Sequence, residues 1–570
     1  MLQLAVALSG LLLPPTVELV YGNKQVLIKM RTFFENGTIY HGRYAAAFET
    51  CTNMVINDGL IEYLGNDAGR RIPHLSNGER VQKVDLKGRS VFPAFIDAHM
   101  HLLQFGASLV KVGLDDCRNL DEIRDTISKA AKRNPDGQRI LCRGWRQPST
   151  NRKALASMID DIDPRPIFID ADDLHSEWCS SSALREMGIT RDSPDPVDGV
   201  IHRDKDGNPT GLISEGAVFS MVWPHLIGKM SKADKMGCFG EAIKEYHASG
   251  YTSVIEMAMD QGSWDLIEDM HKRGQLGLRV AAHWIILPTG DSAGALDQVQ
   301  KAIDTHTIYN LQNSPDFRIA GIKMILDGVV DSCTAALSEP YLVPPHRVGD
   351  MNWDEDIVRE VAAKANAAGL QIALHAIGDA AVHLAINTLE ELGASGQRHR
   401  IEHLELTRPE DAKRLGKLGI TASVQPVHSD PSILGAWPEL VGRERCDWAF
   451  AHRDFQEHGA QLAIGTDSPT APHLPFPNLY VANTRLSARD PHYHSRINQR
   501  QPLDMHQVFG AATWGAAYSC FADKELGSLD IGKKADFILV DGLSHDFDAK
   551  SLLQAQISET WMNGQQVYSS

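Results

Sequence analysis

Val91-Phe-Pro-Ala-Phe95-Ile-Asp-Ala-His99-Met-His101 is a short apolar run that ends in two histidines. Its length and Phe/Ile content suit a buried strand. Residues i and i+2 of a strand project the same way, so the two imidazoles leave its end together, as chelation of one divalent ion requires. A His-x-His pair alone is common, and the rest of the chain decides what this one means.

Seven further runs follow at helix-sized intervals. They are Tyr251–Glu256, Leu278–His283, Gly321–Leu326, Gln371–His375, His399–His403, Ile420–Gln425 and Gln461–Asp467. Between them lie helix-forming stretches such as Trp353 to Ala368 and Asp411 to Leu418. Apolar strands alternating with helices describe a parallel sheet, and eight is the number that closes a (β/α)8 TIM-like barrel. Roughly 130 residues separate the first run from the second, too many for a loop. With strand-like pieces at Arg139–Cys142 and Pro166–Asp170, they predict an α/β insertion over about 108–235. Leaving barrel strand one, it emerges on the face where barrel active sites sit.

Both ends read as short strands punctuated by Gly, Asn and Asp, among them Gln25–Lys29, Asn53–Asn57, Leu60–Leu64, Ala535–Asp541 and Ile557–Gly564. This predicts a small β-sandwich domain composed of residues 1–90 and 521–570, around a barrel at 91–520.

The strand ends carry further ligand chemistry: His375, His403 and Asp467 close runs five, six and eight, and Lys323 lies in run four. Singly, each has an ordinary reading as a bonded core histidine, a capping aspartate or a snorkelling lysine. Together on one barrel rim they predict a metal site.

These motifs, in this order, resemble the amidohydrolase superfamily, and within it amidohydrolase family 3, which includes N-substituted formamide deformylases. The resemblance rests on Val91–His101, Ile322-Lys-Met-Ile-Leu-Asp-Gly328, His375-Ala-Ile-Gly-Asp379, Ile401-Glu-His403, Ser423–His428, Gly465-Thr-Asp-Ser-Pro469 and Gly527–Asp536. Ala94 stands where the family often has Gly, and Thr466 where Ser is common. The resemblance implies that His99, His101 and Asp467 bind one metal and His375 and His403 a second. It also implies that Lys323 is carboxylated to bridge the two. If Lys323 stays an ammonium, the site holds one ion. Zinc is the first candidate, and Mn, Fe or Co suit the same ligands. Asp467 would be the catalytic proton carrier. His175 in the insertion, His428 after run seven and Trp145 are candidate substrate contacts, while Asp327 and Asp379 would orient ligands and loops.

The implied activity is hydrolysis of a non-peptide carbon–nitrogen bond, in a linear amide or N-substituted formamide, with a small molecule as the partner. Two alternatives stay open: a mononuclear deaminase of a ring amidine, and a barrel kept only for binding or regulation. The formal net charge of −17 speaks against nucleic acid and anionic membranes as partners. A homodimer is compatible with the reading. Eight scattered cysteines without a Cys-x-x-Cys pair predict free thiols. Leu2–Leu13 has the length of a secretory apolar core without a preceding Lys or Arg. A cytoplasmic location is favoured, with secretion open.

Overall fold

The computed structural model describes residues 16–21, 24–42, 48–67, 80–151, 153–172, 176–196, 199–393, 396–544 and 547–570. The apolar Leu2–Leu13 run and His175 lie outside these. Eight parallel strands form one sheet in chain order: Phe95–Met100, Tyr251–Met259, Arg279–Ile285, Phe317–Ile325, Gln371–Ala376, Arg400–His403, Thr421–Val424 and Gln461–Ile464. All eight coincide with the predicted runs. The ring closes between the last strand and the first. Thr466 N and Asp467 N both donate to His99 O, at 3.2 and 2.7 Å, and Met100 bridges to Ser468. Below them Gly465 lies so near strand one that a Cβ would stand 2.4 Å from His99 N. The approach needs glycine for want of space.

Alternation along each strand separates two environments. Ile322, Met324, Leu374, Ile401 and Leu462 face outward into the layer beneath the helices. The inward residues at the base are small or slender, including Ile96, Ala98, Ala281, Ala320, Ala373 and Ala463. A segment with Ala516, Ala517, Cys520 and Leu526 packs into this layer and stops the barrel. Above it the interior is polar, with Lys323, Arg400 and Glu402 all buried.

The chain between the helices Leu102–Leu109 and Lys232–Ala248 forms the insertion. Its six-stranded mixed sheet runs through Val112–Gly113, Ile140–Trp145, Ile167–Ala171, Ser176–Cys179, Pro209–Glu215 and Gly199–Arg203. The two strand pieces predicted there are its second and third members. At the chain ends, Phe537–Asp541, Gln556–Met562 and Gln565–Ser569 join Ser90–Pro93, Thr38–Tyr40 and Thr50–Cys51 in one sheet. A second sheet holds Thr16–Tyr21, Lys24–Glu35, Asn53–Asn57, Leu60–Gly65 and Arg80–Asp85. Phe34, Met54 and Ile56 of one pack on Val91, Phe537 and Trp561 of the other. Phe34 meets the rings of Phe537 and Trp561 edge-on, at 5.3 and 5.2 Å.

The boundary expected at 90/91 shifts. Val91 and Pro93 pair with Leu539 and Phe537 in the sandwich. Ala94 N still donates to Asp536 O, and Phe95 N is the first to reach the barrel, at Gly250 O. One continuous apolar stretch thus serves two sheets, with no polar break for a sequence reading to find.

All eight cysteines are free, six of them buried. Among the described residues no helix is long and apolar enough to cross a membrane.

Gly465→Ala is expected to destabilise the protein by about 1–3 kcal/mol, the usual cost of overpacking against backbone. A lowered urea midpoint would register it, and an unchanged midpoint would show that the seam can yield.

Candidate metal centre

His99 is the last but one residue of strand one, and His101 sits one residue past its end, at the N-cap of Leu102–Leu109. Their Nε2 atoms lie 3.4 and 3.1 Å from Asp467 Oδ1. The three donors are within 4.8 Å of one another. Asp467 reaches them through a left-handed backbone, φ +58°, just after the seam. Its other oxygen, Oδ2, stands 3.7 Å from His428 Nε2. Burial opposes the Asp467 carboxylate, but His99, His101 and His403 outweigh it and hold its pKa well below the usual range.

The second nitrogen of His99 is also fixed. Nδ1 pairs with Glu402 Oε2 at 2.7 Å. Glu402 is itself held by Arg400, whose Nε and Nη2 donate to its two oxygens at 2.6 and 3.0 Å. Arg400 Nη2 reaches on to Ala98 O and Ser423 Oγ, each at 2.7 Å. A carboxylate behind a histidine orients the ring and leaves Nε2 as the lone-pair donor. His101 is backed more loosely, with Nδ1 3.7 Å from Glu256 Oε1. Glu256 is anchored by Leu102 N at 2.5 Å and Ala258 N at 3.0 Å.

His375 and His403 come together beside this trio. Their ring centres are 4.4 Å apart, and His403 is 4.9 Å from His99. Alternation puts Glu402 inside the barrel and would send His403 outside. A left-handed φ of +74° at His403 ends the strand and returns the ring to the centre. Such a conformation costs about 1–3 kcal/mol in a non-glycine residue and is typical of functional positions. His403, Glu405 and His428 form a second convergent donor group. This group joins His403 to His428 and to Glu405, a carboxylate that the sequence reading did not assign, and does not include His375. Lys323 is 2% exposed and faces the interior. It makes no hydrogen bond or ion pair among the described residues. Burial lowers its ammonium to about 8.

Asp327 binds a loop and not a ligand side chain directly. It accepts from Ala336 N, Ile377 N and Gly378 N at 2.7–3.0 Å, with His375 Nε2 3.6 Å away. Asp379 accepts from Ser338 N at 3.0 Å and pairs with Arg408 Nε at 2.7 Å. Both tie down the turn that follows His375. Asp97 pins the seam: Thr466 N, Thr466 Oγ1 and Tyr246 Oη donate to it at 2.9, 2.5 and 3.0 Å. Neither Asp97 nor Glu402 was singled out beforehand. A usable signal existed, since charged residues inside otherwise apolar barrel strands need buried partners.

A cleft of about 1190 Å³ opens between the insertion and the barrel loops. Its walls include Asp115, Trp145 and Asp172 on one side and Ser432, Ile433 and Arg489 on the other. Trp145 is mainly a core residue. Only 1% of it is exposed, it packs against Trp178 at 5.4 Å, and its indole donates to Thr150.

The donor set suits a divalent cation. Imidazole must be neutral to bind a metal. Burial first, then nearby Lys323, lowers His99 to about 4 and His375 to about 3. At His101 burial is outweighed by Asp467 and Glu256, which raise it to about 9, so this imidazole gives up a proton on binding a cation. His403 is driven down as well, and its buried Nδ1 has no partner. Glu402→Gln is expected to weaken metal binding about 10–100-fold, as loss of a histidine's orienting carboxylate does elsewhere. Competition with a chromophoric chelator measures it; wild-type affinity would remove Glu402 from the site.

Comparisons with known proteins agree with this geometry. Residues 82–568 match the model of the "Amidohydrolase family". Protein LONG AFTER FAR-RED 3 of Arabidopsis thaliana is 28% identical, over 94% of this chain and 91% of its own. N-substituted formamide deformylase of Arthrobacter pascens is 22% identical, over 92% and 96%. Among solved structures, an uncharacterized metal-dependent hydrolase of Pyrococcus horikoshii superposes with a TM-score of 0.73 at 27% identity, covering 90% of this chain and 97% of that one. With the family match spanning the barrel, its insertion and the C-terminal strands of the sandwich, the chain belongs to the amidohydrolase family, whose general chemistry is hydrolysis.

Proposed function

We propose that this protein hydrolyses a non-peptide carbon–nitrogen bond in a small linear amide or N-substituted formamide. The observation that carries the reading is the division of labour in Asp467. Oδ1 faces the Nε2 atoms of His99 and His101, while Oδ2 is turned toward His428. One oxygen is placed to hold a cation and the other to handle a proton.

A divalent ion, zinc being the first candidate, supplies Lewis acidity when bound, acidifying water and polarising a carbonyl. His99, His101 and Asp467 Oδ1 would hold one ion; His375 and His403 would hold a second. Glu402 keeps the His99 ring aligned. Asp467 Oδ2 accepts the proton of the attacking water and returns it to the departing nitrogen, which would otherwise leave as a poor amide anion. His428, bonded through Nδ1 to Glu405 at 3.3 Å, stands beside Oδ2 to orient the carbonyl or the tetrahedral oxygen. Substrate enters through the cleft under the insertion. The formamide deformylase relative, matched along nearly its full length, supports the choice of bond.

Lys323 is the candidate bridge. A carbamate forms only on a neutral amine, and burial has already moved Lys323 toward that state. The deprotonated amine would add CO2 and release a further proton, leaving an anionic two-oxygen ligand among the imidazoles in place of a buried cation.

Metal analysis with a screen of amides and formamides tests the proposal. His99→Ala with His101→Ala is expected to lose its metal and all measurable amine release, and a fully active double variant would sink the reading. Asp467→Asn should lower kcat by about 10²–10⁴-fold, the range for a lost general acid–base, with metal content measured alongside. Lys323→Ala should bind fewer ions per chain and regain some activity with added small carboxylic acids. Unchanged metal content and rate in that variant would leave Lys323 without a bridging role.

A further inference from the structure

A second group of buried polar residues lies away from the metal ligands. Arg485 follows the helix Pro475–Thr484 in a left-handed conformation, φ +56°, and is 1% exposed. Its Nη1 donates to Ser429 Oγ at 2.7 Å. Nε and Nη2 are buried without an acceptor. No carboxylate lies within ion-pair distance among the described residues, and burial is the sole influence on its pKa, lowering it to about 10. The guanidinium is therefore charged at neutral pH. Phe450 offers only a ring face, 5.7 Å from the guanidinium carbon.

His452 is equally orphaned. It is 1% exposed, and neither ring nitrogen has a partner. Its ring lies 6.3 Å from that of Phe450 and 6.4 Å from Phe455. Burial, then the charge of Arg485, keeps the imidazole neutral. A neutral imidazole still presents one N–H. An isolated buried cation is costly, and each unmade buried hydrogen bond adds to that cost. An internal acid would relieve this, but the strands and helices around Arg485 bring none. An anion would supply both the charge and the missing acceptors.

We infer that Arg485 and His452 form an internal binding site for a small monovalent anion of the halide class. Two guanidinium N–H groups and one imidazole N–H are its donors. The aromatic walls of Phe450 and Phe455 favour a compact, weakly hydrated ion over phosphate or sulfate. The site has a connection to the barrel mouth. Ser429, the hydroxyl that Arg485 grips, also donates to Pro426 O at 2.7 Å and directly follows His428. An anion that holds Arg485 in place therefore also steadies the loop carrying His428.

Crystals of the intact protein grown in bromide provide the test, read at the bromine absorption edge. The expected result is an anomalous peak in contact with Arg485 Nε and Nη2. Thermal unfolding provides the second readout. At equal ionic strength, chloride should raise the Tm by several degrees over gluconate, because a ligand bound only to the folded state stabilises it by mass action. Arg485→Met should abolish that difference. No anomalous peak, or density for water alone, would overturn the site, and so would a halide response that persists in Arg485→Met. The map needs only the wild-type protein, so a variant that fails to fold does not blunt the test. Neither readout depends on finding a substrate.

Discussion

The seam between the last barrel strand and the first is the contact on which the rest depends. Two amides, Thr466 N and Asp467 N, converge on one carbonyl, His99 O. Asp97 clamps Thr466 from the other side. These bonds close the sheet on itself, and they also bring Asp467, near the end of the barrel sequence, against the histidines at its start. A barrel left open at this point would have no metal trio. Closure and site assembly are one event, and Gly465 permits it by leaving room for the two backbones to touch.

The second constraint is electrical. The upper barrel interior collects Lys323, Arg400, Glu402, Glu256 and a ring of histidines in a space that excludes water. Burying such groups is costly unless each charge is answered. Arg400 answers Glu402, and Glu402 in turn fixes the tautomer of His99. Lys323 is the group left over. Burial is the main influence against protonation of His99, His375 and His403, and an uncarboxylated Lys323 ammonium adds to it, which keeps three imidazoles ready to donate to a cation.

Much of this was legible in the sequence. All eight strands were, because buried parallel strands are short apolar runs, and so was the rim on which His99, His101, His375, His403 and Asp467 gather. Other features were not. His403 joins the group only through a left-handed turn, and simple alternation would point it outward. Glu402 was visible inside a quoted motif, while Glu405 lies two residues beyond it, past that same turn. Trp145 was read as a substrate contact, but most of its surface went into the insertion's own core, where the partner Trp178 is close in space on a different strand. The cleft is walled by segments more than 300 residues apart, and no local pattern announces such a meeting.

The composite sandwich has a consequence for how the protein is made. One of its sheets and part of the other come from the earliest described residues, while Phe537–Asp541 and Gln556–Met562 leave the ribosome after the whole barrel. During synthesis Phe34, Met54 and Ile56 lack Phe537 and Trp561 while the whole barrel is translated and can fold. An apolar face exposed for that long invites aggregation or a chaperone. The sandwich is thus joined only after the whole barrel has been translated.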